Sequence, residues 1–92
     1  MAEPTVWRLR AEDVAWREVE EDAIVLDLHS SEYVSLNDTA AFLWSLLEKG
    51  ASADELCKGL TDRWGIDAET ARTDVNDFLE ECQQANFIQP VA

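Results

Sequence analysis

Basic residues are scarce in this sequence: seven Lys and Arg stand against 20 Asp and Glu, a formal net charge of -13 on 92 residues. A surface so acidic repels phosphate backbones and anionic lipid, which excludes nucleic acid and membrane as partners and favours a basic peptide or protein. Histidine occurs once, as His29, and no second His or Cys stands near Cys57 or Cys82 to complete a zinc set. The two thiols read as small buried hydrophobes, reduced in a cytoplasmic protein. Gly50, Gly59 and Gly65 stand singly, so no glycine-rich loop is available to cradle a phosphate. The carboxylate pairs Asp54/Glu55 and Glu80/Glu81 read as solvated helix faces, not as an acid and a base in separated environments. Catalysis, a metal and a cofactor are therefore not expected. No apolar run approaches the roughly 18 residues of a membrane span, and residues 1–22 are too charged for a signal-peptide core.

Hydrophobic residues make up 47 %, which excludes intrinsic disorder and leaves enough for one modest core. Residues 1–13 show no sustained period and read as a flexible N-terminal arm, with Val6, Trp7 and Leu9 as its docking residues. A single domain is expected over 14–92. Val14–Val19 is rich in strand formers, and Glu20-Glu21-Asp22 makes a charged turn. Ala23–His29 then alternates, with Ile24, Leu26 and Leu28 on one side and Val25, Asp27 and His29 on the other. Ser30-Ser31 turns the chain into a third short strand, Glu32–Leu36. Short connections predict an antiparallel meander.

The rest reads as helix. Asn37 or Asp38 caps a helix with Ala40, Leu43, Trp44 and Leu47 on its apolar stripe, and Gly50 stops it. Ser52-Ala-Asp-Glu55 is a capping box opening a second helix, with Leu56, Leu60 and Trp64 on one stripe and Gly65 after it. Asp67 caps a third, 67–86, with Ala71, Val75, Phe78, Cys82 and Ala85 in line; Phe87 and Ile88 make a last extended piece. The fold class is α+β: a three-stranded antiparallel sheet followed by three helices, the outline of a winged helix-turn-helix. Such a shape ordinarily reads DNA through its third helix. Here that helix carries Asp67, Glu69, Asp74, Asp77, Glu80 and Glu81 against Arg72 alone, so charge disfavours the DNA-binding alternative.

Ala23–Leu28, Glu32-Tyr-Val-Ser-Leu-Asn37, Ala40–Leu47 with Gly50, and Asp74-Val75-x-x-Phe78-Leu79 form an ordered series. In this order and spacing they resemble the PqqD-like family, the recognition elements for precursors of ribosomally made, modified peptides, from about Val14 to Ile88. Relatives often have a glycine before the tyrosine, where this chain has Ser30-Ser31-Glu32. The resemblance implies a non-catalytic module in which a precursor leader adds as a strand to Glu32–Leu36, in a groove walled by the Arg72–Cys82 part of the third helix. It implies Glu32, Tyr33, Val34, Ser35, Leu36, Arg72, Asp74, Val75, Asp77, Phe78, Glu81 and Cys82 as peptide-binding residues. Tyr33/Ser35 and Val34 remain alternatives for the groove-facing parity, and Val34, Leu36, Val75, Phe78 and Trp44 all have a plain reading as core. The resemblance also implies two settings. In one, lasso-peptide biosynthesis, the leader is delivered to a leader peptidase and a cyclase. In the other, PQQ biosynthesis, the precursor is presented to a radical enzyme.

Overall fold

The computed structural model describes residues 5–91. Its strands are β1 (Val6–Leu9), β2 (Val14–Val19), β3 (Asp22–Asp27), β4 (Tyr33–Leu36), β5 (Ala51–Ser52) and β6 (Ile88–Pro90). Its helices are α1 (Asp38–Lys49), α2 (Ala53–Trp64) and α3 (Ala68–Gln84). The expected meander is one three-stranded antiparallel sheet, β2-β3-β4; β1 lies centrally in a second, in the order β5-β1-β6. The arm expected over residues 1–13 is therefore corrected from Val6 onward. Trp7 pairs with Ala51 and Pro90, Leu9 pairs with Ile88, and Leu9 is buried in the core. Four residues carry too short a pattern to read as a strand, and both partners lie far along the chain. Residues 1–4 lie outside the described residues.

Local chemistry sets the element ends. Asn37, not Asp38, caps α1: its side-chain oxygen accepts the Ala40 amide at 2.9 Å. The box at α2 is closed in both directions, Ser52 N–H to Glu55 Oε1 at 3.0 Å and Glu55 N–H to Ser52 Oγ at 3.2 Å. Asp67 caps α3 through the Thr70 amide, and Gly65 ends α2 with φ 67° and ψ 23°. Gly50 differs from a left-handed stop, since φ 95° and ψ 130° turn α1 directly into β5, with Val6 Cγ1 3.5 Å from where a Cβ would stand.

One core joins both sheets to the helices. Val25, Leu47, Leu56, Leu60 and Val75 are fully buried, and Trp44 packs edge-on against Trp16 and Phe87. Trp64, read on the same stripe as Leu56 and Leu60, instead lies at the surface against Phe42 and beneath the Arg63 guanidinium. In β3 the buried parity is Ala23 and Val25, so Ile24 and Leu26 point outward. Leu28 and His29 fall in the turn beyond the strand, where Ser31 sits at φ 63°. That left-handed backbone is the physical reason a glycine suits this turn.

At the same end, Asp13 joins the turn to the β1–β2 link. Its carboxylate accepts His29 Nε2 and Arg10 Nε, each at 2.7 Å. The His29 bond and then the Arg10 bond hold Asp13 below its ordinary range, and Asp13 in turn raises His29.

Candidate functional site

A cavity of about 410 Å³ runs between β4 and the C-terminal half of α3. Val34, Ser35 and Leu36 form one wall, Phe78, Glu81, Cys82 and Ala85 the other, with Asn37, Ala40, Trp44 and Phe87 between them. The walls are mainly apolar because α3 repeats its apolar positions along this face, from Phe78 through Cys82 to Ala85. Burial pushes the Cys82 thiol up to about 12, so it meets the groove as an inert neutral group.

β4 is an edge strand, and its hydrogen-bond phase follows from one bond. The Asp27 amide donates to the Glu32 carbonyl at 2.9 Å, and the register continues from Leu26↔Tyr33 to Ala23↔Leu36 without a bulge. Hydrogen-bonded pairs alternate in an antiparallel ladder, so Val34 and Leu36 bond inward to Val25 and Ala23. Tyr33 and Ser35 therefore turn their N–H and C=O groups to the open edge. Side-chain parity is settled with it: Val34 and Leu36 share the core-facing side with Val25, and Tyr33 and Ser35 share the outward side with Leu26 and Ile24.

Six of the residues implied by the resemblance thus meet in the groove: Val34, Ser35, Leu36, Phe78, Glu81 and Cys82. Asp74 and Asp77 line an adjoining hollow of about 190 Å³ that shares Asn37, Ala40, Phe78 and Glu81 with the main cavity. Four lie in neither. Val75 is fully buried in the core, and Arg72 is drawn to α2, where it donates to Asp54 at 2.8 Å. Glu32 precedes β4 and lends its carbonyl to β3, while the Tyr33 side chain is 71 % exposed on the outer face. Asn37, Ala40, Trp44, Ala85 and Phe87 line the groove without having been singled out for it. For Ala85 the signal was present, because it continues the helical line through Phe78 and Cys82.

Outside the groove, the β2-β3-β4 sheet leaves apolar side chains uncovered. Ile24 and Val19 are 39 % and 43 % exposed, beside Leu26 and Tyr33. Among the described residues, no helix is long and apolar enough to cross a membrane.

A family model described as coenzyme PQQ synthesis protein D (PqqD) matches residues 22–88. Two solved structures share the fold. A structure described as TbiB1 in complex with the TbiA(beta) leader peptide superposes with a TM-score of 0.81 at 22 % identity, covering 92 % of this chain and 98 % of that one. One described as lasso peptide synthetase B1 complexed with the leader peptide gives 0.78 at 26 % identity, over 91 % and 98 %. A search of curated proteins finds no match.

Proposed function

Because this chain belongs to the PqqD family, we propose that it recognises the leader region of a ribosomally synthesised precursor peptide, as a winged helix-turn-helix that binds peptide and not DNA. The observation that carries this reading is the open edge of β4 over an apolar groove. The Tyr33 and Ser35 main chains can pair with an incoming strand, and alternate side chains of that strand then enter between Val34, Leu36 and Phe78. Main-chain bonds supply affinity with little sequence demand, and the groove supplies register. The role is non-catalytic and cytoplasmic, and Glu81 with Asp74 and Asp77 favours a basic leader.

The lasso-peptide setting is the better supported of the two, by the likeness to lasso peptide synthetase B1 over nearly the whole chain. In it the bound leader is handed to a leader peptidase and a cyclase. The uncovered Ile24, Leu26 and Tyr33 face suits such a handover, because a strand added at β4 extends the same face and a docking enzyme meets both at once. Presentation to the radical enzyme of PQQ biosynthesis is the second reading, favoured by the family description itself.

Fluorescence anisotropy tests the proposal, using a labelled leader of the precursor encoded beside the gene and a labelled DNA duplex at low salt. Saturable leader binding with no DNA binding is expected. Binding of the duplex, with none of the leader, overturns it.

A further inference from the structure

The register of the β2-β3-β4 sheet lays out its outer face in rows. Residues paired across neighbouring strands share a face, so Ala15, Leu26 and Tyr33 stand side by side, with Arg17, Ile24 and Ser35 in the next row. Trp16 and Val25 point the other way, into the core beside Trp44. The first row is wholly apolar or aromatic, and Tyr33 and Ile24 are 71 % and 39 % exposed. Arg17 is the unusual member. Arg10 and Arg72 each hold a carboxylate, and Arg63 lies over the rings of Phe42 and Trp64. Arg17 has neither kind of partner among the described residues, although the chain carries 20 acids. Asp22, on the same face at the hairpin end, makes no ion pair with it. A guanidinium set in an apolar strip is an anchor for a carboxylate brought by another protein, since arginine makes paired hydrogen bonds to carboxylates and is enriched in interface cores.

We infer that this face is the docking surface for the enzyme that takes over the leader, and that the enzyme meets it with an apolar patch bearing an Asp or Glu opposite Arg17. The inference rests on the strand-addition reading above and adds to it the partner's chemistry and the order of binding. With strands about 4.8 Å apart and a rise of about 3.4 Å per residue, the face is roughly 15 Å across, on the order of 200 Å². A stable specific interface takes about 800 Å² from each partner. The empty protein is therefore a poor platform for the enzyme by this face alone. A leader strand at β4 lengthens the rows, its residue opposite Tyr33 joining Ala15, Leu26 and Tyr33. The enzyme then touches four strands, one of them its own substrate, and loaded protein is preferred over empty. A second copy of this chain is disfavoured as the occupant, because two chains of net charge -13 repel each other.

The probe is the leader peptidase encoded beside the gene, titrated calorimetrically into the full chain with and without a leader peptide that lacks the core and so is not cut. The peptidase is expected to bind loaded protein about tenfold more tightly than empty protein, and linkage then requires it to raise leader affinity by the same factor. Arg17→Glu and Ile24→Ser alter side chains on strands away from the β4 edge. Both are expected to keep parental leader affinity and to weaken peptidase docking about tenfold. Lys58→Glu, the same change of charge placed on α2, is expected to dock as the parent does. Folded Arg17→Glu and Ile24→Ser proteins that bind leader and still dock the peptidase like the parent overturn this inference and leave leader recognition standing. So does a peptidase that binds neither loaded nor empty parent, or a parental dimer in sedimentation that Arg17→Glu dissolves, which gives the face to a second copy. A parent that does not bind leader at all overturns both readings.

Discussion

Val25 and Val34 stand opposite each other across β3 and β4, yet Val25 is fully buried and Val34 is 38 % exposed toward the groove. The same side chain therefore stands in two environments, one sealed in the core and one open to the groove. Val25→Ala removes two methyl groups from a sealed site and is expected to cost roughly 2–3 kcal/mol of stability by urea denaturation, with the folded fraction still binding leader. Val34→Thr keeps the shape and adds a hydroxyl at the groove wall. It is expected to leave the denaturation midpoint near that of the parent and to weaken leader binding severalfold. Equal effects of both changes on stability would place Val34 in the core alone.

Backbone phase gives a second separation. Ser35 turns its N–H to the open edge, and Val34 turns its own to Val25. Ser35→Pro is expected to fold with a native circular dichroism spectrum, since edge positions tolerate proline, and to lose one intermolecular bond of about 1 kcal/mol, roughly fivefold in affinity. Val34→Pro breaks the inner ladder and is expected to disorder β4. A folded Ser35→Pro protein with undiminished affinity would sink strand addition at this edge.

The Asp13–His29 pair should show in pH dependence. His29 is raised by Asp13, so its contribution is fully present below the ordinary histidine range and is lost as pH rises through the raised value. Asp13 is lowered, so its share is present above the ordinary carboxylate range and is lost as pH falls through the lowered value. Both are in place in mildly acidic solution. His29→Gln is expected to melt below the parent there and together with it in alkaline solution, while leader affinity is unchanged at either pH. A constant gap in melting temperature across the range would mean that His29 acts by shape and not by charge. Lost leader affinity in folded His29→Gln would give His29 a place in binding.

Much of this architecture was legible in the residues. The caps at Asn37, Ser52/Glu55 and Asp67 use short-range hydrogen bonds, so spacing alone located the helices. β1 was hidden because both its neighbours, Ala51–Ser52 and Ile88–Pro90, are brought to it only by tertiary packing. The face of β3 was obscured for a related reason: Ala23 and Val25 are the smaller apolar set, Ile24 and Leu26 stay outside, and Leu28 falls in the turn beyond. At the groove, the apolar line on α3 was readable. That Val75 is sealed in the core and Arg72 is drawn to Asp54 was not, because both depend on how α3 packs against α2. Trp44 was expected as core and is core; that its N–H is unpaired depends on neighbours no sequence pattern specifies.

Charge supplies the final test. Asp74, Asp77 and Glu81 line one continuous stretch of the site, and Arg72, the one cation on α3, is turned away and paired with Asp54. The stretch thus presents negative charge toward whatever enters the groove, and on the proposed reading that is a basic leader. Exposed pairs of this kind add little to final affinity, but long-range attraction raises the association rate and is screened beyond about 8 Å at physiological salt. The apolar contacts of Val34, Leu36 and Phe78 do not depend on ionic strength in this way. Stopped-flow association is therefore expected to slow several-fold from low to high salt, with dissociation nearly constant. Asp77→Lys reverses a charge at the rim without entering the apolar cavity, and it is expected to slow association at low salt and flatten the salt dependence. Arg72→Ala, by contrast, is expected to bind leader as the parent does, because its guanidinium already belongs to Asp54. Association equally fast at all salt concentrations, in the parent and in Asp77→Lys alike, would show that these carboxylates keep the protein in solution and take no part in capturing the leader.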